Sequence, residues 1–236
     1  MTARTPRQPL SRERVLAAAV ELADTEGLPA VTMRRLAATL GVEAMSLYYH
    51  LPGKDGLLDG LVDTVVGEID VAIRRRADGA DGADGADGDG DWRTTLRRRC
   101  LAAREVMLRH PWAPGLMGSR ATIPPGVYGH YEAILATLVG GGFSYHLAHR
   151  ALHALGSMVL GFVQEPFSPA PPAGAPEDDP AAADLAAMAE VLPHLAAMVA
   201  SEIHDAGEAM LGWCDSQTEF EFTLDLLLDG LARHLG

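Results

Sequence analysis

Between Val31 and Lys54 the chain reads VTMRRLAATLGVEAMSLYYHLPGK, a stretch whose side chains suit contact with a nucleic acid. Its second half, Glu43 to Tyr49, has helical spacing that buries Leu47 and turns Ala44, Met45, Ser46 and Tyr48 outward. A short helix with small and polar residues at its start, held against another helix by a glycine turn, suits insertion into the major groove of DNA. A second group capable of chemistry lies far along the chain. His146, His149 and His153 are spaced i, i+3, i+7, near one helical face, where three imidazoles could bind zinc or nickel. One helix rarely supplies three good ligands unaided, so the other reading is a polar helix start with one or two imidazoles directed into a pocket. No HExxH, no GxxxxGK[ST] loop and no nucleophile–base–orienter string is present, so no enzyme is expected.

These groups need elements to hold them. Residues 43–49 are too few to form a stable helix alone. The preceding segment, Thr32 to Leu40, places Met33, Leu36, Ala37 and Leu40 on one apolar face, with Thr32 as the expected N-cap. Gly41 stands where a tight turn needs positive φ. Ser11 is expected to cap a first helix that runs to about Glu26, with Val15, Leu16, Ala19, Leu22 and Ala23 inward. Lys54 to about Arg76 reads as a longer connecting helix carrying Leu57, Leu58, Leu61, Val65, Ile69 and Ile73 at helical spacing. Tyr49 is expected to pack in the core.

Further helices are expected near 92–109, 111–118, 126–140, 144–165, 185–205 and 216–234, with no alternating strand pattern. The fold class is therefore all-α. A three-helix helix-turn-helix DNA-binding domain occupies 1–53, and a larger helical ligand-binding and dimerisation domain occupies 54–236. Residues 78–91, DGADGADGADGDGD, read as a flexible loop, because glycine opposes helix and the like charges repel. Asp87, Asp89 and Asp91 alternate as in a calcium loop, but Trp92 stands where such a loop needs glycine and Arg98 where it needs a bidentate Glu. Residues 166–183, rich in Pro and Ala, read as a second loop. Residues 1–9 are either a flexible start or an arm whose arginines reach a minor groove.

The chain of 236 residues carries a net charge of −13, which would count against nucleic acid if the charge were spread evenly. Residues 1–54 carry seven basic and five acidic side chains, net +2, against −15 for the remainder. Phosphate contact needs local positive charge rather than a positive total. No run of about 18 apolar residues suggests a membrane span, and the N-terminus lacks the apolar stretch of a secretory signal. Cys100 and Cys214 are isolated, which fits a reducing, cytoplasmic setting.

Ala23-Asp24-Thr25-Glu26-Gly27, Val31-Thr32, Arg35-Leu36-Ala37, Leu40-Gly41-Val42, Leu47-Tyr48-Tyr49-His50-Leu51, Lys54 and Leu57-Leu58 follow one another in an order and spacing that resembles the TetR family of transcriptional repressors. From Trp92 onward, Arg109-His110, Gly118-Ser119-Arg120, Gly141-Gly142-Phe143-Ser144, Gly156, Leu160-Gly161, Glu165 and Phe220-Glu221-Phe222 resemble the tetracycline-repressor-like branch of that family. The resemblance implies that Arg34 contacts bases, where a guanidinium pairs with guanine O6 and N7. It places Ala44, Met45 and Ser46 toward base edges, and Tyr48, His50 and Lys54 on phosphates. Thr32 would add its backbone N–H to a phosphate. The implied partner is a double-stranded DNA operator.

The resemblance also implies a small-molecule inducer held between the C-terminal helices. Expected lining residues are Met117, Tyr131, Ile134, Leu135, His149, Leu152, His153, Met158 and Phe162. Each equally suits ordinary core, apart from Tyr131 and the histidines, whose polar tips want partners. Glu165 matches the acidic residue that coordinates drug-bound magnesium in tetracycline repressors, but Leu116 stands at the companion histidine. Arg99 and Ala103 stand at drug-contacting Asn and Phe positions, and Ser157 replaces another histidine. The expected effector is therefore an apolar or aromatic compound rather than magnesium–tetracycline, with no metal and no cofactor. The alternative is a metal-sensing regulator using His146, His149 and His153. Phe220, Phe222, Leu224, Leu227, Leu228 and Leu231 make the last helix too apolar for a lone surface element. Paired with the helix near 144–165, it is expected to form a homodimer interface across a two-fold axis, the other reading being intramolecular core.

Overall fold

The computed structural model describes residues 9–80, 91–163, 189–202 and 216–235. Among these residues every regular element is helical. Helix α1 spans Arg12–Glu26 and begins where the Ser11 hydroxyl accepts the Arg14 N–H at 3.2 Å. A short 3-10 turn, Leu28–Ala30, leads to α2, Met33–Leu40, whose cap is the Thr32 hydroxyl accepting the Arg35 N–H at 3.2 Å. Gly41 ends α2 at φ 65°. The Val42 and Gly41 N–H groups return to the Ala37 and Ala38 carbonyls, which satisfies the last turn of α2 and sets the entry angle of α3, Ala44–Tyr48. Leu47 of α3 is fully buried against Leu36 and the α1 residues Val15, Leu16, Ala19 and Leu22.

Helix α4 spans Gly53–Ala80, 28 residues, about 42 Å at 1.5 Å per residue. It exceeds the expected 54–76 because an established helix adds one hydrogen bond per residue, and alanines at 77 and 80 offset the single glycine between them. Residues 81–90 of the acidic repeat lie outside the described residues, as do 166–183, Glu165 and Cys214. Helix α5 spans Trp92–Arg109 and α6 Ala113–Ser119. Helix α6 starts two residues later than expected because Pro111 disfavours helix at His110, and the chain turns before re-entering. Helix α7 spans Pro125–Gly140, α8 Tyr145–Phe162, α9 Pro193–Glu202 and α10 Ser216–Ala232. Within the expected 185–205 helix, Pro193 opens an element rather than continuing one, since it has no N–H to give to the preceding turn.

Two cores result, and α4 enters both. Leu57, Leu61, Val62 and Val66 pack with α1, α2 and α3. Val65, Ile69 and Ala72, on the adjoining face, pack with Leu96 and Val106 of α5, Leu138 of α7, Ala151 and Leu155 of α8 and Phe220, Leu224 and Leu228 of α10. Close approach of α4 to α1 requires glycine at position 60, where a Cβ would lie 2.6 Å from the Leu16 side chain. Helix α10 is fixed to α5 by Arg97, which pairs with Glu221 and Asp225, and by Arg104, which is buried, bonded to Gln217 and 4.7 Å from the centre of the Phe220 ring. Leu61 is fully buried where α4 completes the first core. Leu61→Ala is expected to lower unfolding stability by about 2–5 kcal/mol, read from the urea midpoint.

Candidate nucleic-acid interface and effector cavity

The residues expected to meet DNA lie on or beside α2 and α3, with Lys54 at the start of α4. Thr32, Arg34, Met45, Tyr48 and Lys54 are exposed; Ala44, Ser46 and His50 are half-buried. Arg35 turns away to pair with Glu26 of α1 at 2.6 Å, whereas Arg34 has no ion-pair partner among the described residues. One expectation is corrected. Tyr49 is 89% exposed, because α3 ends at Tyr48 and the buried positions one turn apart are Leu47 and Leu51. Its ring faces solvent instead of the core.

A cavity of about 580 Å³ lies behind α4, walled by α4, α5, α7, α8 and the segment joining α6 to α7. The expected residues Met117, Tyr131, Ile134, His149, Leu152 and His153 stand on its wall. Leu135, Met158 and Phe162 do not. Met158 is nine residues beyond His149, about 180° round the same helix at 100° per residue, so it faces the second core. Phe162 lies on that same far side and meets Phe220 edge to face at 5.5 Å. Leu135, one turn past Tyr131, packs into the second core rather than onto the wall. Arg99, Ala103 and Ser157, the positions at which the chain departs from the tetracycline repressors, all line the cavity. Leu116 instead is buried in the first core, so no ligand for magnesium stands there. Among the described residues no group of three or more His, Cys, Asp or Glu is arranged to hold a metal. His149 and His153 pack edge to face at 4.6 Å.

Sequence reading missed the α4 wall, Val62, Val66 and Ile69, and on α5, beyond Arg99 and Ala103, it missed Leu96, Cys100 and Met107. It also missed a seam along α4. Asp55, Asp59 and Asp63 recur every fourth residue, which places three like charges on one face. Each is met from the α6–α7 segment or the first turn of α7. The Arg120 Nε–H donates to Asp59 at 2.8 Å and its terminal N–H groups reach Asp55 at 3.3 Å. The Gly126 backbone N–H donates to Asp63 at 3.1 Å. Further along, His130 Nδ1 lies 3.2 Å from Asp70. At the α5–α6 junction the buried His110 has Nδ1 2.8 Å from Asp24 of α1 and Nε2 3.1 Å from Glu68 of α4. Asp24 also accepts the Trp112 indole N–H at 2.6 Å. The four-residue recurrence of carboxylates was the available signal.

A helical reader carrying an open Gly-turn motif, joined through one long helix to a domain with a cavity between its helices, defines a DNA-binding regulator of the helix-turn-helix class. Residues 15–61 match the family model for bacterial regulatory proteins of the tetR family, and residues 84–235 match that for the tetracyclin repressor-like C-terminal domain. The chain belongs to the TetR family. An HTH-type transcriptional regulator of Saccharopolyspora erythraea is 31% identical over 154 residues, 65% of this chain and 60% of that protein. The HTH-type transcriptional repressor DrrR1 of Streptomyces coeruleorubidus is 37% identical over 135 residues, 57% of this chain and 46% of that protein. The chain thus spans between 46% and 60% of the length of these two curated relatives. Among solved structures, ActR of Streptomyces coelicolor in complex with actinorhodin superposes with a TM-score of 0.69 at 26% identity, covering 97% of this chain and 100% of that one.

Cys100 lines the cavity, and burial pushes its thiol up to about 12. The thiolate is the reactive form, so Cys100 is expected to resist iodoacetamide at pH 8.5 in the folded protein and to react once urea unfolds it. Peptide mass spectrometry of the labelled protein checks this.

Proposed function

We propose that this chain is a ligand-responsive transcriptional repressor that binds a palindromic operator as a homodimer and is released by a small molecule in the α4–α8 cavity. The observation that carries the reading is the double membership of Val62 and Val66. Both are core residues of the DNA reader and wall residues of the cavity. A molecule seated there touches the reader's own packing. A ligand that fits better when α4 is displaced shifts the population toward a reader spacing that no longer matches DNA.

In this reading Arg34, Ala44, Met45 and Ser46 face base edges, and Thr32, Tyr48, His50 and Lys54 meet phosphates, with the exposed Tyr49 beside them. The second reader comes from a partner copy through α8 and α10. Helix α10 buries Phe220, Leu224 and Leu228 inward and still exposes Phe222 and Leu226, an apolar face that a partner would cover. The relatives' names and the ActR complex with actinorhodin support a repressor with a small-molecule effector. The lining of Val62, Val66, Ile69, Ile134 and Leu152 supports an apolar or aromatic body. No described helix is long and apolar enough to cross a membrane. The site of action is the cytoplasm, where the operator lies, and no enzymatic step is part of the function. The metal-sensing alternative has no ligand set among the described residues to support it.

Selection from a genomic DNA library is expected to enrich an inverted repeat with half-site centres about 34–36 Å apart. On that operator Arg34→Ala should cost about 1–3 kcal/mol of affinity, read by fluorescence anisotropy. Enrichment of unrelated sequences, or an unchanged affinity, would reject the reading.

A further inference from the structure

Among the described residues the cavity is lined by basic side chains and no acidic ones, in a chain that is strongly acidic. Those side chains are Arg99, Arg120, His130, His149 and His153. Two of these groups are already matched: Arg120 by Asp55 and Asp59, His130 by Asp70. Arg99 is not. It lies on the cavity face of α5, in register with Leu96, Ala103 and Met107. Its Nε is buried with no hydrogen-bond partner, and no carboxylate pairs with its guanidinium among the described residues. Burial acts to lower its pKa and the charge of Asp70 acts to raise it, yet an arginine stays protonated under any physiological condition. A permanent charge taken partly out of water with no hydrogen-bonded carboxylate is costly, and an anion bound beside it offsets that cost. The hydroxyl-bearing residues Tyr131, Thr122 and Ser157 also stand on the wall, suited to an acid's remaining oxygen atoms.

We propose that the effector is an organic acid, a carboxylate on an apolar ring body, and that Arg99 is the residue that selects its negative charge. This rests on the cavity being the effector site and adds to it the chemical class of the occupant.

The test uses a panel of matched pairs, aromatic carboxylic acids of two and three fused rings and their primary amides, such as anthracene-2-carboxylate and anthracene-2-carboxamide. Binding to the full chain is read by fluorescence titration. The wild type is expected to prefer the acid by about tenfold or more, the range of a charge-assisted pair. Arg99→Gln should abolish that preference, and Arg99→Lys should retain part of it. Ligand-free Arg99→Gln should melt no lower than the wild type, because a half-buried cation with no hydrogen-bonded carboxylate has been removed; a merely structural arginine would lower the melting temperature. Equal binding of acid and amide by the wild type, or a preference that survives in Arg99→Gln, overturns the inference. If both forms bind equally and both release the operator, the cavity remains the effector site and only the charge selection fails. If no pair binds and none releases the operator, the effector-site reading fails with it.

Discussion

Helix α4 cannot move without moving two cores at once. Its buried residues alternate between them: Leu57, Leu61, Val62 and Val66 belong to the reader, Val65, Ile69 and Ala72 to the larger domain. Interiors at close-packed density do not deform smoothly, so a shift at one end of such a rod reappears at the other rather than dissipating. The carboxylate seam sharpens this. Asp55 and Asp59 hold Arg120, on the segment that also walls the cavity, and Asp63 holds the backbone at Gly126 in the first turn of α7. His110, held between Asp24 and Glu68, ties α1 to the same helix from the α5–α6 junction. Reader, connecting rod and ligand chamber therefore share one set of polar clamps and one apolar seam.

Charge is apportioned to match. The first 54 residues are net positive while the whole chain is −13. Acidic surface away from the reader disfavours loose attachment to duplex, and in the proposed function contact falls to Arg34, Lys54 and the side chains of α3. Inside this acidic molecule Arg99 stands on the cavity wall, where no Asp or Glu does among the described residues.

What could be read without coordinates was local. Gly41, Thr32 and the Leu36–Ala37–Leu47 pattern encode the reader because each acts within a few residues of itself: a left-handed cap, a hydroxyl cap, one apolar stripe. Helix periodicity also located α5, α7, α8 and α10. What it could not supply was the facing of a helix that is apolar on more than one side. On α8 both His149 and Met158 fit a lining role by residue type, and only packing against α10 decides that Met158 turns to the core. Tyr49 was misplaced for a related reason, since α3 ends one residue before it and helical phase no longer applies. The α4 seam required pairing of residues about sixty positions apart, such as Arg120 with Asp59, which no periodicity encodes.

The central claim is that cavity and reader are coupled through α4. Linkage makes the coupling reciprocal: if a ligand weakens DNA binding, DNA must weaken ligand binding by the same factor. The direct measurement is the affinity of a cavity-bound aromatic compound for the protein alone and for the protein saturated with its selected operator. The account predicts weaker binding by about 5–150-fold on the operator complex, the usual range of such couplings. The same affinity in both states would contradict it.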